Sequence, residues 1–213
     1  MAPRDDAQLL LAWRGGDAGA GNELVERHFG AIYAFFRNKL GGEIDDLIQR
    51  VFLSLVESKD GIVEAASMRT YLFRIARNEL FDHLRRRRRQ PRIDGLSVSV
   101  EDLGERPSEL VALRQEQRLL LRALRRIPLD DQIALELFYW EKLTGGEVGR
   151  VLGVPEGTAR TRLRRARLAL RAEIERQARS PEVARSTTGD LEHWVASLRA
   201  CVAADPALAG AGG

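Results

Sequence analysis

The sequence predicts an all-α protein of two small helical domains joined by a flexible acidic linker, the second domain carrying a helix-turn-helix. Three observations lead there. Apolar residues recur at spacings of three and four along most of the 213 residues, the period of a helix with one buried face. Runs of β-branched residues are few, so local propensity also favours helix. Between Pro91 and Pro107 the periodicity stops, in a stretch holding Gly95, Gly104 and both prolines, the composition of a connection between domains.

The elements follow in order. A first helix is expected from Asp6 to Trp13, stopped by Gly15 and Gly16. After Asp17 a long helix runs to Leu40, with Leu24, Val25, Phe29, Ile32, Phe35 and Phe36 on its apolar stripe, and Gly41 and Gly42 end it. The next helix, 43–56, buries Ile44, Leu47, Ile48, Val51, Phe52 and Leu55; a fourth, 65–87, buries Met68, Leu72, Ile75, Ala76, Leu80 and Leu84. Within the linker, Ser97 to Val100 is too short to found a sheet. Helix resumes at Ser108, a natural N-cap, and Pro128 breaks it near Arg126. Residues 130–140 form a short helix with Ile133, Ala134, Leu137 and Phe138 on one side.

The next segment is the most specific. Thr144 and Glu147 have the spacing of a capping box, Gly153 supplies a tight turn, and Pro155 suits the first turn of a helix that continues to Gln177. Its inward stripe is Ala159, Leu163, Ala166, Leu170 and Ile174. A short helix, a glycine turn and a longer basic helix make a helix-turn-helix pattern. Gly145, Gly146 and Gly149 weaken the short helix by roughly 0.8–1 kcal/mol each relative to alanine, and Gly149 lacks the side chain that would pack on the helix after the turn. The domains expected are therefore 1–90, linker 91–107, 108–178, and a C-terminal extension 179–213. That extension is expected to be partly disordered, with one amphipathic helix from Leu191 to Val202 whose Trp194, Val195 and Leu198 can form a small apolar patch.

Charge is distributed unevenly. The formal net charge is +3 with 34 basic against 31 acidic residues, too close to balance to name a partner. Residues 85–89, however, are consecutive arginines, and Arg160, Arg162, Arg164, Arg165, Arg167 and Arg171 form a second block. Such clusters attract polyanions, nucleic acid foremost. The linker leans the other way, with Asp94, Glu101, Asp102, Glu105 and Glu109 against Arg106. No apolar run reaches the length of a membrane span, and the N-terminus has no apolar signal core, so an intracellular, cytoplasmic location is expected. One cysteine, Cys201, excludes an internal disulfide and a cysteine-based metal cluster. His28, expected at a helix surface or boundary, and His83 and His193 fall on separate elements with no HExxH pattern and no glycine-rich phosphate loop. No catalytic, cofactor or metal site is expected; the reading is a DNA-binding protein and not an enzyme.

Three stretches resemble the bacterial RNA polymerase sigma factors of the extracytoplasmic-function group, within the sigma-70 family. EIDDLIQRVFLSLVESKDG (43–61) resembles the polymerase-binding helix. MRTYLFRIARNELFDHLRRRRRQ (68–90) resembles the promoter-melting helix. IPLDDQIALELFYWEKLTGGEVGRVLGVPEGTARTRLRRARLALR (127–171) resembles the C-terminal promoter-binding domain. The resemblance covers roughly residues 8 to 177 and implies a subunit that binds core RNA polymerase and directs it to promoter DNA. The first domain would recognise and open the −10 element and the second would recognise the −35 element. Many such proteins are held by a partner anti-sigma protein.

On this chain the polymerase contact falls on Asp45, Asp46, Leu47, Gln49 and Phe52, where Leu47 and Phe52 supply either apolar contact or core. The −10 residues are Tyr71, Arg74, Arg77, Asn78, His83, Arg85 and Arg86: arginines for phosphate, asparagine for a base edge, and an aromatic ring to stack on an unpaired base. Tyr71 stands where the family often has tryptophan. The −35 residues are Glu156, Thr158, Arg160, Thr161, Arg162, Arg164 and Arg165. Arg160 and Arg164 share a face and suit either guanine or phosphate, whereas Arg162 and Arg165 point sideways, toward phosphates. Two departures from the family stand out: LTGGEVG (143–149) in place of an LSYEEIA-type helix, and Gln132 where arginine is usual. The competing reading is a free-standing helix-turn-helix regulator, against which the aromatic and basic helix of the first domain argues.

Overall fold

The computed structural model describes residues 4–41, 44–62, 68–88, 93–104, 115–182 and 184–185. They form two helical units. The first holds α1 (Asp6–Arg14), α2 (Ala18–Arg37), α3 (Asp45–Ser58) and α4 (Met68–Arg88), with a 3₁₀ turn Lys59–Gly61 after α3. The second holds α5 (Gln115–Leu124), α6 (Leu129–Leu135), α7 (Gly145–Leu152) and α8 (Glu156–Gln177). The expected starts at Glu43 and Ser108, residues 105–107 of the linker, and the helix 191–202 with its Trp194 patch lie outside the described residues.

Local chemistry explains the helix ends. Asp5 and Gln8 form a reciprocal capping box on α1, with Gln8 N donating to Asp5 Oδ1 at 2.8 Å and Asp5 N to Gln8 Oε1 at 3.0 Å. Asp17 accepts from Ala20 N at 3.1 Å and starts α2. Thr144 and Glu147 form the expected box on α7: Thr144 N donates to Glu147 Oε2 at 2.7 Å, and Glu147 N to Thr144 Oγ1 at 3.3 Å. Gly153 ends α7 in the left-handed region, φ 69°, where a Cβ would be strained. Pro155 sits just before α8 in extended conformation, one position earlier than expected.

Two local expectations are corrected. Residues 130–140 are not one regular helix: after α6 the chain widens into a π turn over Glu136–Trp140, closed by Glu141 N donating to Glu136 O at 3.2 Å. π turns are rare and recur at functional positions. His28, expected at a helix surface or boundary, is buried, with Nε2 2.8 Å from Asp6 Oδ2. Burial pushes its pKa below the ordinary histidine value, although Asp6 pulls the other way.

The middle of the acidic connection lies against the second unit. Ile93, Val100 and Leu103 are buried. Val98 O and Gly95 O accept from Leu129 N and Asp130 N, each at 2.8 Å, and Glu101 N donates to Arg125 O. Ser99 makes one isolated antiparallel bridge with Pro128. Arg88, at the end of α4, donates to Asp102 O at 2.8 Å. The segment thereby tethers both units.

The units also pack directly. α4 lies against α7 as well as against α2 and α3, and one cluster of buried apolar side chains runs from Leu9 in α1 to Ile174 in α8. A small crevice of about 50 Å³ between Ala31, Phe35 and Phe73 on one side and Leu137 and Trp140 on the other marks the seam.

Candidate nucleic-acid interface

On α8 the apolar stripe Ala159, Leu163, Ala166, Leu170 and Ile174 is buried, as its spacing requires. The opposite side therefore faces solvent: Glu156, Thr158, Arg160, Thr161, Arg164 and Arg165 are all exposed. Arg160 Nη2 meets Glu156 Oε1 at 2.5 Å, one helical turn away, and its stem crosses the start of α7 beside Gly145. Arg164 is exposed and projects from the same face.

Arg165 is exposed but reaches an acid, and Arg162 is drawn inward beside another. Arg165 makes a forked contact with Asp131, Nη2–Oδ1 2.6 Å and Nε–Oδ2 3.2 Å, which raises the arginine's pKa. Arg162 is only 11% exposed, with Nη1 3.6 Å from Asp130 Oδ2. The other oxygen of Asp130 accepts from Arg77 of α4, at 2.8 Å from Nη2 and 3.2 Å from Nε. A single buried carboxylate thus holds one arginine from each basic helix.

On α4, Arg74, Asn78, Arg85 and Arg86 are exposed. Tyr71 is half-buried: its hydroxyl donates to Ser58 Oγ at 2.6 Å, and the Arg74 guanidinium lies 5.3 Å from its ring centroid. Arg85 pairs with Asp82 on its own helix. His83 is half-buried. Arg77, Asn78, Phe81 and Arg85 join Leu96, Asp130 and Arg162 around an open cleft of about 580 Å³ between the units.

On α3, Asp45, Asp46 and Gln49 are exposed. Leu47 and Phe52, named above as partner contacts or core, are core; Phe52 stacks on Phe29 with centroids 6.2 Å apart. The apolar part of the outer face is instead Leu53 and Val56, at 53% and 44% exposure. The same helical spacing that identifies Leu47 as inward places Leu53 outward, so this signal was readable. The loop after α3 is pinned by Arg14, whose guanidinium donates to Lys59 O at 2.8 Å and Ile62 O at 2.6 Å.

The seam holds polar residues that local pattern does not identify. Lys39 and Glu136 form an ion pair buried between the units. Asn38 Nδ2 and Gln132 Nε2 donate to the same carboxylate at 2.6 and 2.8 Å, and Lys39 also donates to Phe35 O at 2.8 Å. Burial pushes the Lys39 pKa down, while Glu136 pulls it back up. Gln132, where the family usually has arginine, is thus a partner of Glu136. Arg69 of α4 reaches Glu141, Nε–Oε2 3.5 Å. The contacts of Lys39 and Asn38 with Glu136 join residues 97 and 98 positions apart, and periodicity carries no trace of them. Among the described residues no cluster of histidine, cysteine and carboxylates could hold a metal ion.

Comparison with known proteins agrees with this architecture. Residues 24–90 match sigma-70 region 2, and residues 117–170 match sigma-70, region 4. The chain is 29% identical over 169 residues to the ECF RNA polymerase sigma factor SigM of Mycobacterium tuberculosis, covering 78% of this chain and 83% of that one. It is 32% identical over 143 residues to the RNA polymerase sigma factor HrpL of Pseudomonas syringae, covering 65% and 77%. The fold resembles that of the sigma factor RpoE from Bartonella quintana, solved in complex with the anti-sigma factor NepR, at TM-score 0.56, 19% identity, 74% of this chain and 98% of that chain. The chain belongs to the sigma-70 family of RNA polymerase sigma factors, in its extracytoplasmic-function group.

Proposed function

We propose that this sigma factor divides the promoter between its two units, α4 taking the −10 element and α8 the −35 element, while α3 faces core polymerase. Sigma factors direct transcription initiation through core RNA polymerase, and this chain is read as doing the same. The observation that carries the division is the basic, outward face of α8. Its apolar stripe is spent on its own unit, which leaves Arg160, Thr161 and Arg164 exposed to enter a major groove, as the second helix of a helix-turn-helix does. Arg74, Asn78, Arg85 and Arg86 give α4 phosphate and base-edge chemistry beside a tyrosine. The outer face of α3 offers Asp45, Asp46, Gln49, Leu53 and Val56, an acidic and apolar strip suited to a partner protein.

An anti-sigma protein is a further expected partner, supported by the fold of a neighbour solved with one, the sigma factor RpoE with the anti-sigma factor NepR. No helix among the described residues is long and apolar enough to cross a membrane, in keeping with action in the cytoplasm.

The test is reconstitution. The purified chain added to core polymerase should produce transcripts starting at a defined promoter. Asp46→Arg, on an exposed position, should weaken assembly while leaving the fold intact. Unchanged assembly and transcription would remove α3 as the polymerase surface.

A further inference from the structure

We propose that Arg14, at the end of α1, is a positioning residue for promoter opening: it clamps the turn that follows α3 and so fixes the wall against which the Tyr71 ring stands. The inference rests on the reading that α4 faces the −10 element and that Tyr71 stacks on an unpaired base there. Arg14 lies 45 residues from Lys59 in sequence and reaches it across the first unit. Its Nε donates to Lys59 O at 2.8 Å and its Nη2 to Ile62 O at 2.6 Å, with Nη2 also donating to Lys59 O. A planar guanidinium offers its donors in a fixed fork, and here the fork spans both ends of one turn.

The turn needs the clamp. α3 ends at Ser58 and the chain passes straight into the 3₁₀ turn Lys59–Gly61. Carbonyls at the end of a helix have no partner further along it, and the bond that closes this turn, Ile62 N to Lys59 O, is long at 3.5 Å. Asp60 and Gly61 are exposed, and a Cβ on Gly61 would meet nothing within 4 Å, so among the described residues the tip has no packing to hold it. Charge-assisted hydrogen bonds, roughly twice as strong as neutral ones, supply what the turn lacks. The clamp itself has a rigid base. Leu9 and Leu10 of α1 are fully buried, and the Trp13 ring sits on Gly21 of α2, where a Cβ would stand 2.5 Å from Trp13 Nε1. The Lys59 ammonium lies 5.2 Å from the centroid of that same ring, a second tie between α1 and the turn.

Ser58 connects the turn to α4. It immediately precedes Lys59, and its hydroxyl donates back to Ser54 O and accepts from the Tyr71 hydroxyl at 2.6 Å. The Arg74 guanidinium lies against the same ring, 5.3 Å from its centroid. The half-buried ring thus stands against the end of α3. Stacking rewards a ring already held in one orientation, because less conformational entropy is lost when a base arrives. Packing against a fixed wall sets that orientation, and a phenylalanine would keep it. With Arg14 removed, the turn and Ser58 gain freedom, the wall moves, and the ring spends part of its time turned away. Phosphate contacts in the closed complex draw on the arginines of α4, which lie outside the clamp.

The test compares holoenzyme made with the wild-type chain, Arg14→Ala, Arg14→Lys, Tyr71→Ala and the double variant Arg14→Ala/Tyr71→Ala, on a promoter that the wild-type holoenzyme opens. Permanganate reactivity of promoter thymines reads opening. Anisotropy of the labelled promoter at low temperature, where the duplex stays paired, reads the closed complex. The quantity compared is the ratio of the two for one preparation, so a loss of folded chain cancels. Arg14→Ala should lower this ratio on the order of tenfold, the effect of one lost charge-assisted bond. Arg14→Lys, which reaches one carbonyl but not both, should fall between. The double variant should open no worse than Tyr71→Ala alone, since two residues acting through one ring are not additive. A merely structural role for Arg14 would lower closed binding and opening together and would add to the loss from Tyr71→Ala. An unchanged ratio in Arg14→Ala, or additive losses in the double variant, overturns the proposal. A defect in Tyr71→Ala with none in Arg14→Ala overturns the clamp alone, whereas Tyr71→Ala opening as wild type does overturns the reading of Tyr71 at the −10 element together with it.

Discussion

Gly146 and Gly149 lie on the same short helix, yet replacing them with alanine should act in opposite directions. By propensity alone each change stabilises α7 by roughly 0.8–1 kcal/mol. At Gly146 a new Cβ meets only Glu156 Oε2, 3.3 Å away at the end of an exposed side chain, which can move aside. At Gly149 the Cβ would stand 2.7 Å from the carbonyl oxygen of Val154, backbone of the turn into α8. That turn is already fixed by Val154 N donating to Gly149 O at 2.9 Å and by the left-handed Gly153. Overpacking against a fixed backbone costs about 1–3 kcal/mol, more than the helix gain. Gly149→Ala should therefore be destabilised by about 0–2 kcal/mol, and Gly146→Ala stabilised by up to about 1 kcal/mol. Urea or thermal unfolding of the full chain, followed by circular dichroism, measures the difference; a shift of about 2–4 °C per kcal/mol is expected at this size. Equal stabilisation of both variants would refute the argument that the glycine at 149 serves a close turn.

The other predictions concern charge and DNA. His28 is buried neutral with its pKa lowered, so on acidification the unfolded chain takes up this proton first; its contribution to stability is present above the unfolded value near 6.5 and lost as pH falls below it. His28→Gln should flatten the stability-against-pH profile in that window, and an unaltered profile would exclude His28 as a source of the acid sensitivity. Tyr71→Ala should reduce permanganate reactivity of promoter thymines more than closed-complex binding, while Tyr71→Phe, which loses only the bond to Ser58, should retain opening; equal opening in Tyr71→Ala and wild type would reject stacking. Arg160→Ala and Arg164→Ala should each cost about 1–3 kcal/mol at one base pair if the arginine reads guanine. If it holds phosphate, the loss should be uniform across sequences and the salt dependence should fall by about one unit. Titration against single-base promoter variants at several salt concentrations separates the two, and unchanged affinity and preference in both mutants would remove this face from recognition.

What the sequence determined by itself are the features set by neighbours within one or two turns. The apolar stripes of α2, α3, α4 and α8, the cap at Thr144, and the turn at Gly153 all depend on spacings of three or four residues or on one residue's backbone freedom, and they stand in the structure. The π turn at 136–140 was not legible, because Ile133, Ala134, Leu137 and Phe138 keep a helical apolar spacing through it. Leu47 and Phe52 were ambiguous for a related reason: an apolar side chain looks the same whether it faces its own core or a partner, and only the position of α2 settles them as core. Tertiary structure alone decided the destinations of long-range charge. Arg77 and Arg162 read as DNA ligands until the chain brings both onto the Asp130 carboxylate. Lys39 and Glu136, 97 positions apart, could be joined only by folding. An ion pair is specified by proximity in space, and sequence spacing fixes proximity only within a single element.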